Sequence, residues 1–120
     1  MIKYTLTIGL NDKDTKTQIL DNVTAFGVIE NTLRQYLDGY TILHATGGYK
    51  HEDNTFINEN SIRVEILFAN DTVIHVIVNA LKTKLNQESI LQVQSIIHIS
   101  SLYIICLYSE QNKTETTNKQ

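Results

Sequence analysis

The stretch from Ser89 to Tyr108 constrains this chain more than any other, because it is dense in β-branched and aromatic residues that favour extended backbone. Its first half alternates, Ile90, Gln92, Gln94 and Ile96 against Leu91, Val93 and Ser95. From Leu102 to Leu107 it is apolar on both faces. A strand apolar on both faces needs cover on both sides, and a domain of this size has little surface to spare for it. The segment therefore points to a second copy of the chain as its cover.

The remainder sorts by period. Ile2 to Leu10 sets Tyr4, Leu6 and Ile8 against Lys3, Thr5 and Thr7, the alternation of a half-buried strand. Asn11 to Asp14 is a polar turn. Thr15 and Gln18 stand at capping-box spacing, which predicts a helix starting near Thr15 with Ile19, Val23, Phe26, Ile29 or Glu30, Leu33 and Leu37 on its core stripe. Asp38-Gly39 ends it. Tyr40 to Ala45 reads as a second strand, Gly48 to Asn60 as a long polar loop, and Ser61 to Phe68 as a third strand with Ile62, Val64, Ile66 and Phe68 on one face. Asn70-Asp71-Thr72 offers caps for a second helix whose stripe holds Val73, Val76 or Ile77, Ala80, Leu81 and Leu85. The order β-α-β-β-α-β is that of a ferredoxin-like α+β fold, an antiparallel sheet with both helices on one face, here with an additional C-terminal strand. Residues 1–109 are expected to form one domain, and 110–120 a polar, solvated tail.

Composition excludes some functions. The 120 residues include 42% apolar residues, enough for a core, and the formal charge of -3 leaves no basic cluster for neutralising phosphates. The open face expected from strand parity carries Lys3, Thr5, Thr7, Arg63, Glu65, Gln92 and Gln94, with no aromatic on the central strands to stack bases. RNA binding is disfavoured. The chain opens without a basic segment followed by an apolar run and has no stretch long enough to span a bilayer, so the expectation is a cytoplasmic protein with no membrane or nucleic-acid partner. The single cysteine, Cys106, lies in an apolar run that suppresses its thiolate. The four histidines, His44, His51, His75 and His98, fall on different elements without ligand spacing, so neither a metal nor a cofactor is expected.

The densest collection of functional side chains is Thr46, Gly47, Gly48, Tyr49, Lys50 and His51, followed by Glu52 and Asp53. Here glycines let amides approach an anion that Lys50 and His51 would complement. With Arg63 and Glu65 of the third strand these are the candidate ligand-binding residues. The nucleotide-binding glycine fingerprints need a longer spacing and a following helix, and neither is present. No catalytic residue is assigned, and a hydrolase or isomerase built on His51 and its neighbouring carboxylates is the weakest reading.

The third strand, Ile62-Arg63-Val64-Glu65-Ile66, preceded by a polar loop, resembles the third strand of the PII-type signalling proteins. Ile8 to Thr15, with Asn86-Gln87-Glu88-Ser89-Ile90, is similar to small uncharacterised proteins of low-GC bacteria and their phages. The first resemblance implies a ferredoxin-like core; neither transfers a catalytic residue. The function expected is a non-enzymatic homo-oligomer, a dimer in the simplest case, that holds a small polar or nucleotide-like ligand as a sensor or sequestering protein. The alternative is a protein-interaction module such as a phage-encoded inhibitor of a host enzyme. Self-association is expected through the C-terminal segment, with Ile97, Ile99, Leu102, Ile104 and Leu107 at the interface.

Overall fold

A computed structural model describes residues 1–98. Six elements follow one another: β1 (Ile2–Gly9), α1 (Asn22–Tyr36), β2 (Thr41–Lys50), β3 (Phe56–Ile66), α2 (Asp71–Lys84) and β4 (Leu91–Ile96). The strands form an antiparallel sheet in the order β2-β3-β1-β4, with β1 and β3 central, as the ferredoxin-like expectation requires. Register sets Tyr4 against Ile66, Leu6 against Val64 and Ile8 against Ile62. These six are buried with Ala25, Ile29 and Leu33 of α1 and Ile74, Ile77 and Leu81 of α2, so both helices cover one face.

The helices are joined by polar contacts as well as apolar ones. Thr32 is fully buried on α1. Its hydroxyl donates to the Val28 carbonyl at 2.9 Å and accepts from Lys84 Nζ at 3.0 Å. The start of α2 is tied to the sheet by Asp71 Oδ1, which accepts from the Tyr4 hydroxyl at 2.6 Å and from Gln94 Nε2 at 3.3 Å.

Several expectations are corrected. Helix α1 begins at Asn22, not near Thr15, because Asp21 is the cap and its Oδ1 accepts from the Thr24 amide at 2.7 Å. The capping-box pair is diverted: Gln18 donates to the Leu20 carbonyl and to Asn22 Oδ1, while Thr15 is held in a turn by Asp12. Ile19 and Val23, assigned to the core stripe, are 62% and 82% exposed. On α2 the buried stripe is Ile74, Ile77, Leu81 and the cap residue Leu85, while Val76 faces outward. Phe68 lies beyond the end of β3 and is 40% exposed.

The expected loop 48–60 is instead a hairpin arm. β2 runs on through Lys50 and β3 starts at Phe56, with pairs from Thr46–Asn60 to Lys50–Phe56. Only residues 51–55 turn, where His51 and Thr55 close a backbone bond of 2.7 Å and Asp53 Oδ1 accepts from the Thr55 amide and hydroxyl. On β4 the parity is reversed. Gln92 and Gln94 oppose Leu6 and Tyr4 on the helix side, and Leu91, Val93 and Ser95 join the open face. A one-residue shift of register exchanges every side chain between faces, and on this edge strand the pairing with β1 and the bond of Gln94 to Asp71 fix the shift. Of the interface candidates Ile97 is part-buried, its amide bonded to the Met1 carbonyl at 3.0 Å; Ile99, Leu102, Ile104 and Leu107, the additional strand and the polar tail lie outside the described residues.

Candidate functional site

Three segments meet at the end of the sheet where β1 stops: the Asn11–Gln18 loop, the base of the hairpin arm, and the turn from α2 into β4. Gln87 Nε2 donates to the Asn11 carbonyl at 2.6 Å, and the Lys13 amide donates to the Asn86 carbonyl at 3.1 Å. Asn86 Nδ2 donates to Asp12 Oδ1 at 2.7 Å and to Asp14 Oδ2 at 2.9 Å. That geometry uses a left-handed backbone at Asn86, φ 50°, a conformation asparagine tolerates better than most residues. Asp12 Oδ2 also accepts from the Asp14 and Thr15 amides. The bond from Asn86, then those amides, hold the Asp12 carboxyl below the usual carboxylate range. From the arm, the Asn60 carbonyl accepts from the Leu10 amide at 3.0 Å, and Asn60 Nδ2 donates to Gln18 Oε1 at 2.9 Å.

These ties border an open, polar cavity of about 170 Å³ whose lining includes Asp12, Lys13, Lys16, Tyr49, Glu59 and Glu88. Glu59 is held from two sides. Its Oε2 accepts from the Asn11 amide at 2.9 Å, and its carboxylate lies directly over Gly9, where a Cβ would stand 2.5 Å from Oε2. Any side chain at position 9 would displace it. Among the described residues no hydrogen bond or ion pair engages the side chains of Lys13, Lys16, Tyr49 or Glu88. The cavity thus presents two cations, a phenol and the carboxylates of Asp12, Glu59 and Glu88 to whatever enters.

The residues singled out from sequence are not brought to one place. Tyr49 lies in this cavity, and Gly47 opposes Glu59 across the β2–β3 ladder. Thr46, Gly48 and Lys50 alternate onto the other face of the arm, where Lys50 Nζ stands 5.8 Å from the centroid of the Phe56 ring. His51 sits in the turn at the arm's tip. Arg63 and Glu65 point to the open face farther along β3, and Glu65 pairs with Lys3 at 3.8 Å, part of the mixed-charge ladder expected there. Neither glycine has the positive φ that an anion-cradling loop would use. Sequence reasoning missed Lys13, Lys16, Glu59 and Gln87. Besides Tyr49, the trace of the site in the sequence is a glycine closing an alternating strand, and its partner Glu59 is fifty residues away.

The strand order, register and helix placement define a ferredoxin-like α+β protein. Residues 3–101 match the model of a family described as protein of unknown function (DUF3574), and the chain belongs to that family. No curated protein matches it. Among solved structures it is similar to a phage SAM lyase in complex with S-methyl-5′-thioadenosine, at TM-score 0.50 and 21% identity over 78% of this chain and 79% of that one. It is also similar to CutA1 from Pyrococcus horikoshii, at TM-score 0.50 and 13% identity over 99% and 100% of the two chains. The periplasmic divalent cation tolerance protein CutA from Archaeoglobus fulgidus aligns at TM-score 0.53 and 10% identity over 92% and 97%. At such identities the likeness is one of fold.

Proposed function

We propose that this protein binds a small polar, nucleoside-like ligand in the cavity between the Asn11–Gln18 loop, the hairpin arm and the Asn86–Ser89 turn, as a homo-oligomer. The observation that carries this reading is the set of Lys13, Lys16, Tyr49 and Glu88 side chains, without partners among the described residues, in one cavity with a Glu59 carboxylate held by the Asn11 amide. Polar and charged groups gathered around one open cavity are suited to a polar ligand with both anionic and donor functions. That a phage enzyme of the same fold was solved with S-methyl-5′-thioadenosine supports a nucleoside as the first class to test. The oligomer is supported by Leu43, Leu91 and Val93, exposed on the open face at 44%, 62% and 47%, which a second copy would cover, most simply about a two-fold axis.

Thermal-shift measurements with S-methyl-5′-thioadenosine, adenosine 5′-monophosphate and cyclic dinucleotides test the binding. A ligand at a hundredfold excess over its Kd adds about 2.7 kcal/mol to stability, a rise of several degrees. The Lys13→Ala/Lys16→Ala double variant should lose the response to the phosphate-bearing compounds. No shift with any of them at millimolar concentration rejects the reading. Light scattering at micromolar concentration tests the assembly, for which Leu91→Lys/Val93→Lys should lower the mass. A protein-interaction module is the second reading, favoured by Ile96, 88% exposed at the sheet edge. It would show as a stoichiometric protein partner in the absence of any ligand response.

A further inference from the structure

We infer that Glu59 determines which sugar the cavity accepts: its carboxylate receives the vicinal hydroxyls of a ribose, with the anionic end of the ligand directed to Lys13 and Lys16, so that the ligand class is a ribonucleotide rather than a deoxyribonucleotide. This rests on the nucleoside-binding reading above and narrows it. A carboxylate offers about four acceptor positions on two oxygens. The Asn11 amide takes one position on Oε2, and Oε1 accepts no hydrogen bond among the described residues. Adjacent hydroxyls on a five-membered ring match the spacing of two carboxylate oxygens, the contact by which an acidic residue reads the ribose in dinucleotide-binding proteins.

The surroundings of Glu59 keep it available for that contact. Gly9 beneath it is the reason the carboxylate can lie against the strand end rather than swing into solvent. Gly47, opposite it on β2, contributes no side chain, and a Cβ there would meet nothing within 4 Å, so the space beside the carboxylate is open. Tyr49, two residues along β2 and on the same face, is 53% exposed, a flat surface one diagonal step from Glu59. Lys13 and Lys16 line the same cavity from the Asn11–Gln18 loop, which the bond of Asn86 to Asp12 holds in place.

Calorimetric titration of the full chain with adenosine 5′-monophosphate and its 2′-deoxy analogue tests the assignment. Wild-type protein should prefer the ribonucleotide by about tenfold, the worth of one hydrogen bond to a charged acceptor. Glu59→Ala should bring the ratio close to one, and Gly9→Ala should do the same by displacing the carboxylate, with far-ultraviolet circular dichroism showing the fold retained. Lys13→Ala/Lys16→Ala should weaken both compounds and leave the ratio unchanged. Equal wild-type affinity for the two compounds, or a ratio that survives Glu59→Ala, overturns the inference while the binding reading stands. A wild-type protein that binds neither, nor S-methyl-5′-thioadenosine, overturns both.

Discussion

Tyr4 shows how one residue can serve the core and a polar tie together. Its ring is buried among Leu6, Ile66 and the helices, and its hydroxyl reaches Asp71 in the first turn of α2. Burial first, then the hydrogen bond and the negative charge of Asp71, push its pKa from 10.0 up to about 12. A phenol whose pKa is raised on folding contributes stability that is fully present below about pH 10 and is lost as the pH rises through about 12. Ultraviolet titration of the tyrosinates should therefore show a late step near that pH, which Tyr4→Phe removes. A titration curve that Tyr4→Phe leaves unchanged above pH 11 would refute the assignment. The Asp12 carboxyl is shifted the opposite way, downward, by Asn86 and the turn amides. At residue scale, then, hydrogen bonds that join distant segments leave titration signatures that the local sequence does not announce.

At the scale of elements, caps decided where helices begin. Thr15-x-x-Gln18 and Asp21 both had the chemistry to open α1, and the chain uses Asp21 because Gln18 bonds instead to Leu20, Asn22 and Asn60. Asp21→Ala should cost about 1 kcal/mol of unfolding free energy in urea, and Asn70→Ala at the start of α2 a similar amount. Thr15→Ala, outside the helix, should change stability by less than about 0.5 kcal/mol. Equal costs at Thr15 and Asp21 would restore the earlier helix start. The hairpin arm makes the same point for strands. Residues 46–60 carry glycines and polar groups that suggest a loop, yet the β2–β3 ladder continues through them, because backbone pairing needs no apolar side chain once the register has been set at the core end.

The described residues form one helix-covered sheet, and its stability should follow burial rather than hydrophobicity. Ile77 of α2 is fully buried, whereas Val23 of α1, equally apolar in the sequence pattern, is 82% exposed. Ile77→Ala should cost about 2–5 kcal/mol and Val23→Ala less than about 0.5 kcal/mol, read from the midpoints of denaturant unfolding. A large loss at Val23 would mean that a second copy covers it.

Sequence by itself determined the order of elements, the core faces of β1 and β3 and the cap of α2, because each is a local pattern of period two or 3.6 acting within a dozen residues. That is why Tyr4, Leu6, Ile8, Ile62, Val64 and Ile66 could be read correctly and why the ferredoxin-like arrangement followed. Only the tertiary structure decided the start of α1, the reach of the hairpin arm, the face that β4 presents and the candidate site. Each of these depends on pairing between distant segments: Asn60 with Gln18, Gln94 with Asp71, Glu59 with Gly9 and Asn11, Asn86 with Asp12. A carboxylate seated over a glycine fifty residues away has no periodicity to reveal it; it exists because two antiparallel strands and one turn fix the distance between them.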